Sequence, residues 1–516
     1  MTSKFRMGLL SLGAFSAALV LQIPQAAGQT TDEATTQPSD AQSPSLAELD
    51  AYIEKARAEW QVPGAAVVIV KDDKIVYAKG FGVREIGKPG KIDPDTVFAI
   101  GSASKAFTGA TLAMLVDEKK IAWDGVVHDY MPAFELSDPY VTNHATVRDL
   151  LAHRTGFKSG YGWLWTGSGF DRDEIISHMR FQKNLSGFRD RFLYANEMFT
   201  VAGEIVPAVT GTSWDDFVTT RLFTPLNMTR SSTSITKLKG MQNVASPHGM
   251  VDDKLVTFPY RNVDNVGGAG SINASARDMA QWVRMQLNDG TYEGKELISK
   301  AAIDETHSGQ TILTGRPMEG DFSEYGLGWM IHDYRGKKLV EHGGAVDGMR
   351  AGVAMMPEEK LGIVVLTNML PHELVTAIEL RIYDTFLGGE STDWSAKMKA
   401  EADTAKAESD QRAAASAKPP LPPTLPLAAY AGTYTSELYG NVDVAMKNGA
   451  LYLKRPTAEA TLTPDSANLF KARWTSKSIL SVFGETPIGF TIGPAGDVVS
   501  LDLGPDRFDR EVEEKK

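Results

Sequence analysis

Residues 97–120 read VFAIGSASKAFTGATLAMLVDEKK: a short β-rich run, a glycine, and then an apolar helical pattern opened by Ser-x-x-Lys. Phe107, Leu112, Leu115 and Val116 fall at the spacing of a buried helix. Ser102 and Lys105, three residues apart at its start, share one helix face with neighbouring side chains. A hydroxyl nucleophile needs a base within a hydrogen bond of it, and this spacing offers one. A strand-to-helix junction also presents backbone N–H groups where an oxyanion can be held. The same Ser-x-x-Lys spacing recurs at Ser234 and Lys237, but there it stands in the polar loop SSTSITKLKG with no apolar helix behind it.

On the N-terminal side, Ser45 and Glu48 fit a capping box, and Leu46, Leu49, Ile53, Ala56 and Trp60 continue at helical spacing until Pro63 and Gly64. AAVVIVKDDKIVYAKGFGV then reads as two strands joined by Lys71, Asp72 and Asp73. On the C-terminal side the pattern is mostly helical to about residue 310. Strand-like runs return at Lys338–Val340, Ala351–Met356 and Leu361–Leu366, and His372 to Leu387 is amphipathic. Strands at both ends of a helical middle predict an α+β domain with an antiparallel sheet, flanking helices and an all-helical subdomain.

Two further elements are candidates to meet Ser102. Tyr194-Ala195-Asn196 stands at a turn before a helical run, with rival Tyr-x-Asn copies at Tyr260/Asn262 and Tyr439/Asn441. A tyrosine has an ordinary pKa near 10, so a base role for Tyr194 requires a nearby cation to lower it, a charge that Lys105 is placed to supply. His342-Gly343-Gly344 follows KKLVE and reads as a turn at the end of a strand, where glycines let a backbone approach a ligand. The rivals His248-Gly249 and His307-Ser308-Gly309 lack flanking strand patterns.

Ser-Ala-Ser-Lys, Tyr-Ala-Asn and His-Gly-Gly, in that order and far apart, resemble the class C β-lactamase and penicillin-binding-protein superfamily of serine hydrolases. VRDLLAHRTGF (147–157), LFTPLNMTRSS (222–232), GGAGSINASARDMAQW (267–282) and YGLGWM (325–330) extend that resemblance over residues 45–388. It implies that Ser102 is acylated, that Lys105 activates it or relays its proton, and that Tyr194 carries a proton to the leaving group. It implies further that Asn196 orients Lys105 or the substrate amide, and that the N–H groups of Ser102 and Ala345 form the oxyanion hole. His342, Gly343 and Gly344 then line the substrate, with His342 in place of the family's usual lysine and Gly343 in place of its threonine. A lost charged hydrogen bond costs about 1.5–3 kcal/mol. The expected substrate is therefore a small ester or short peptide, including peptides with D-residues. A β-lactamase and a non-catalytic penicillin- or peptide-binding protein are the alternatives.

Composition narrows the field. The net charge is −12 and no basic cluster exists, which argues against nucleic acid as a partner. With no cysteine, nine histidines and no His-Glu-x-x-His, neither metal nor cofactor is expected. Lys4 and Arg6, an uncharged run from Met7 to Leu21, Pro24, and Ala26-Ala27-Gly28 form the layout of a secretory signal peptide over residues 1–28, so the chain is expected to be exported, periplasmic or secreted, without lasting membrane insertion. Residues 29–44 are polar and are expected to be disordered. The hydrolase domain spans 45–388. A linker follows over 389–426, with a stretch that reads as an exposed helix and then the stiff run PPLPPTLP. Residues 427–516 carry short alternating strands with an Asn448-Gly449 turn and resemble an appended lipocalin-like β-barrel. The hydrophobic stripes do not distinguish a dimer face from a core.

Overall fold

The computed structural model describes residues 46–157, 162–313, 320–370, 372–388, 392–416, 419 and 421–511. The expected signal peptide, the polar segment 29–44 and Ser45 of the capping box lie outside the described residues. Helix α1 (Leu46–Glu59) leads into a hairpin of β1 (Gly64–Lys71) and β2 (Lys74–Gly82). Its turn is made by Asp72 and Asp73 at φ +49° and +61°, which short polar side chains tolerate.

The central sheet recruits the rest of its strands from far along the chain: β3 (Thr311–Ile312), β4 (Ser323–Tyr325), β5 (Met330–Tyr334), β6 (Lys337–Val346), β7 (Met349–Met356) and β8 (Leu361–Thr367). The order is β2-β1-β8-β7-β6-β5-β4-β3, antiparallel throughout. Its alternation sorts the core into two halves. Val68, Val353 and Leu366 face a large cluster with helix α2 (Ser104–Asp117), helix α3 (Asn196–Thr210) and helix α4 (Ala276–Leu287). Val67, Ala354 and Val365 face the opposite cluster, with α1 and helix α5 (Leu374–Leu387). Burial on both faces explains why β1 is a continuous apolar run rather than an alternating one. Phe107 of α2 stacks on Trp282 of α4 with centroids 3.9 Å apart, a pair worth about 0.5–1.5 kcal/mol beyond its buried area.

Helix α6 (Trp394–Ser416) starts inside the second cluster: Trp394 and Met398 are buried, and the Trp394 indole N–H donates to Asp384 Oδ2 at 2.7 Å. Farther along it is exposed and laced by Lys399–Asp403 and Lys406–Asp410 pairs. Between residues 432 and 510 eight antiparallel strands close into a barrel around Tyr430, Tyr434, Phe470 and Phe490. Asn448 and Gly449 turn one of its hairpins at φ +54° and +81°. Among the described residues no helix is long and apolar enough to cross a membrane.

Two sequence expectations need correction. His342-Gly343-Gly344 is not a turn. It lies inside β6, which continues to Val346 because Gly343 and Gly344 pair with Gly352 and Ala351 of β7, and the turn comes only at Asp347-Gly348. His248-Gly249 does have a strand, since His248–Val251 pairs with Lys254–Thr257.

Candidate active site

The chain reaches the site through Val97–Ala99, which pairs with Asn273–Ser275, and then makes one tight turn over Gly101–Ala103 before α2. Gly101 takes φ +52°, and a Cβ on it would come within 2.7 Å of the Ala345 backbone nitrogen. A side chain at Gly344 would likewise meet the Ile100 carbonyl. Glycine at both positions lets the Ser102 turn sit directly on β6. The partner strand β5 pairs with β6 only as far as Glu341, so residues 342–346 keep an open edge beside Ser102. An open edge presents backbone donors and acceptors to an extended substrate.

Lys105, one turn along α2, is fully buried. Its Nζ lies 3.3 Å from Ser102 Oγ, 2.7 Å from Asn196 Oδ1 and 2.9 Å from the Ala269 carbonyl. Burial drives its pKa well below the ordinary lysine value, and the opposing charge of Glu197 does not offset it. A neutral amine has two N–H donors and one lone pair. With Asn196 and the Ala269 carbonyl accepting two N–H groups, the third position of Nζ faces the Ser102 oxygen, where an ammonium donates and a free amine accepts. Asn196 opens α3, while Ala269 belongs to the small-residue run 267–271 wedged between α2 and α3.

Tyr194 lines the same cavity as Ser102, and Lys105 Nζ stands 4.7 Å from the centre of its ring. The expectation that Lys105 lowers the Tyr194 pKa is reversed. Burial raises the phenol, Ser102 beside it offsets this only in part, and the buried lysine tends toward its uncharged form. The buried His153, expected to be structural, underlies this arrangement. Its Nδ1 accepts the Ala195 N–H at 3.1 Å and its ring lies 4.5 Å from that of Tyr194. It is held at φ +53°, and burial pushes its pKa well below the usual histidine range. Nothing in the local sequence signals this contact across 41 residues.

His342 is also buried. Its Nδ1 donates to the Gly343 carbonyl at 2.6 Å and its Nε2 accepts from the Tyr325 hydroxyl at 2.9 Å. Burial and the nearby Lys105 push its pKa down to about 3. It is therefore a neutral hydrogen-bonding pillar with no charge to offer a substrate carboxylate.

The barrel reaches the same site. Trp165 lines a small pocket at Ser102 together with Asn196, Gly270 and Val346. The segment bearing it is gripped by Arg455, a fully buried barrel residue whose guanidinium donates to the carbonyls of Trp163 (3.2 Å), Thr166 (3.3 Å) and Tyr439 (2.9 Å). Arg261 holds the other side, bonding Thr166 Oγ1 at 2.7 Å and Asp347 at 2.6 and 2.8 Å. Neither arginine stands out in the sequence.

The rivals are elsewhere. Tyr260 donates to the Ala245 carbonyl at 2.8 Å, and Tyr439 bonds Asp506 inside the barrel. Ser234 caps a short turn by accepting the Thr236 N–H at 3.1 Å, and Lys237 is exposed. His248 ties down the Asn368 carbonyl and the Ile86 N–H, and His307 bonds Gln286. Among the described residues no group of three or more His, Asp or Glu side chains is arranged to hold a metal ion.

The chain is 26% identical over 510 residues to the unguisins hydrolase ungD of Aspergillus violaceofuscus, covering 90% of this chain and 89% of the relative. It is 26% identical over 324 residues to protein flp of Staphylococcus aureus, covering 62% of this chain and 63% of that protein. The fold matches the octameric penicillin-binding protein homologue from Pyrococcus abyssi with a TM-score of 0.61 at 23% identity, covering 90% and 99% of the two chains. It matches SurE with a TM-score of 0.55 at 21% identity, covering 90% and 99%. Residues 416–516 match a domain of unknown function, DUF3471. Residues 49–383 match the Beta-lactamase family, and the chain belongs to it.

Proposed function

We propose that this protein is a serine hydrolase that cleaves a carboxylic ester or peptide amide through an acyl-enzyme on Ser102. The observation that carries the reading is the fully buried Lys105, whose two donors are taken by Asn196 and Ala269 while its Nζ stays 3.3 Å from Ser102 Oγ. The free amine takes the Ser102 proton as the oxygen attacks the substrate carbonyl. The N–H groups of Ser102 and Ala345 hold the resulting oxyanion. Tyr194, kept protonated by burial, gives its proton to the leaving alcohol or amine and regains one from the Lys105 ammonium. Water then attacks the acyl group while Lys105, again a free amine, takes its proton, and the ammonium returns that proton to Ser102 Oγ as the acid leaves.

The hydrolase relative supports this reaction class. The neutral, internally bonded His342 supports esters and amides over penicillins, because it offers no cation to a drug carboxylate. In the same reading the chain is exported by residues 1–28, and its barrel is lipocalin-like. The test is a panel of p-nitrophenyl acetate, nitrocefin, and D-alanyl and linear peptides on wild type and Ser102→Ala. Ester or peptide turnover that vanishes in Ser102→Ala is expected. Nitrocefin turnover rivalling that of the best peptide would overturn the substrate preference.

A further inference from the structure

The cavity at Ser102 does not end at the catalytic groups. It encloses about 450 Å³ and runs from Ser102 and Tyr194, past the open edge of β6, to the opposite face of the sheet, where Glu341, Arg350 and Glu379 line it. The passage is made by two glycines directly across the ladder, Gly343 of β6 and Gly352 of β7. A Cβ at 343 would meet little, so its absence is open space. A Cβ at 352 would overlap Glu379 Oε1, so the α5 carboxylate rests on bare backbone.

Glu379 is 6% exposed, lines the cavity and, unlike the other charged groups here, makes no hydrogen bond or ion pair among the described residues. Arg350 is committed to Glu373, at 2.8 and 3.3 Å, and to the His372 carbonyl. Among the described residues Glu341 pairs with His332 alone, at 3.3 Å. The buried Tyr383 hydroxyl, on the wall of the adjoining cavity of about 290 Å³ that shares Glu341 and Glu379, also lacks a partner. Two carboxylates thus face space whose arginine is already neutralised. Such a pocket is complementary to a cation and repels an anion. Burial and Glu341 push the Glu379 carboxyl up and Arg350 draws it down only in part, so an arriving cation favours its charged form.

We propose that the Glu379 end of this cavity is a substrate subsite for a primary ammonium group, so that the natural ester or peptide carries an amine at the end remote from the carbonyl attacked by Ser102. This rests on Ser102 being the nucleophile. The amine can belong to the acyl or to the leaving portion, and the test covers both.

The p-nitrophenyl esters of 6-aminohexanoate, hexanoate and adipate (as the monoester) present a cation, a neutral end and an anion at matched length. In wild type the expected kcat/KM order is cationic, neutral, anionic, with at least tenfold between the first two. In Glu379→Gln the cationic-to-neutral ratio falls toward one. Glu341→Gln, which alters the same pocket from another element, lowers the ratio in the same direction and serves if the first variant does not fold. Independently, n-butylammonium is expected to inhibit p-nitrophenyl acetate turnover competitively in wild type, with 1-butanol ineffective, and Glu379→Gln is expected to weaken that inhibition at least fivefold. A Glu379-dependent butylammonium effect with equal ester ratios places the amine on the leaving portion. Equal ratios in wild type and both variants, with no Glu379-dependent inhibition, overturn the subsite. Turnover that survives Ser102→Ala overturns the nucleophile instead and leaves the subsite to be judged by butylammonium alone.

Discussion

Ser102–Lys105 and Ser234–Lys237 carry the same Ser-x-x-Lys spacing, yet they end in opposite environments. Lys105 is fully buried between α2, α3 and the 267–271 run, with its amine beside Ser102. Lys237 is exposed, and Ser234 spends its hydroxyl on a turn N–H and on Asp264. Water stabilises an exposed ammonium, which cannot accept a proton. Burial withdraws that stabilisation and leaves a base. The spacing brings the two groups together, and the surrounding core decides whether they react.

The largest predicted contrast is between the two serines. Ser102→Ala is expected to lower ester turnover by roughly 10⁴- to 10⁶-fold, whereas Ser234→Ala leaves steady-state kinetics at the wild-type level. Comparable losses in both would break the comparison. Tyr194→Phe, which removes only the transferable proton, is expected to cost roughly 10²- to 10⁴-fold in kcat while thermal unfolding changes little.

The pH profile sharpens the point about burial. The active form of Lys105 is the free amine, so kcat/KM rises with pH through a pKa displaced below the ordinary lysine value of about 10.4. Because the Tyr194 pKa is raised, the plateau persists until alkaline pH removes the phenolic proton. A rise centred at the ordinary lysine value would show that burial does not tune Lys105.

Arg455→Ala tests whether the barrel is part of the active-site wall. It leaves the Trp163 and Thr166 carbonyls without their donor and frees the segment bearing Trp165, so roughly a 10-fold loss of kcat/KM on a bulky ester is expected. The smallest effect is at the second serine, where losing the turn cap in Ser234→Ala costs about 1 kcal/mol of stability, read by denaturant unfolding.

The legible parts were those written in local patterns. The β1–β2 hairpin, the apolar helix after Ser102 and the alternating strands of the barrel each follow from short-range periodicity. The three residues that come together, Ser102, Lys105 and Tyr194, were also legible, because each stands at an element boundary with a distinctive spacing. The protonation states were not, since they depend on burial contributed by distant segments. Tyr194 was expected to be lowered by its cationic neighbour, and the desolvation that raises it comes from a packed surrounding that includes His153, Phe192 and Tyr325. The strand character of His342-Gly343-Gly344 was hidden because glycines read as turn residues unless the pairing strand is known. Ala269 acts through its carbonyl, which no side-chain pattern reveals, and Arg455 and Glu379 matter only through contacts hundreds of residues from Ser102 in sequence.

The central claim is tested most directly by intact-mass and peptide-mapping spectrometry after incubation with a fluorophosphonate at a series of pH values. The account predicts one adduct per chain, on Ser102, forming faster as pH rises through the lowered Lys105 pKa and absent in Ser102→Ala. An adduct on Ser234, or undiminished labelling of Ser102→Ala, would contradict it.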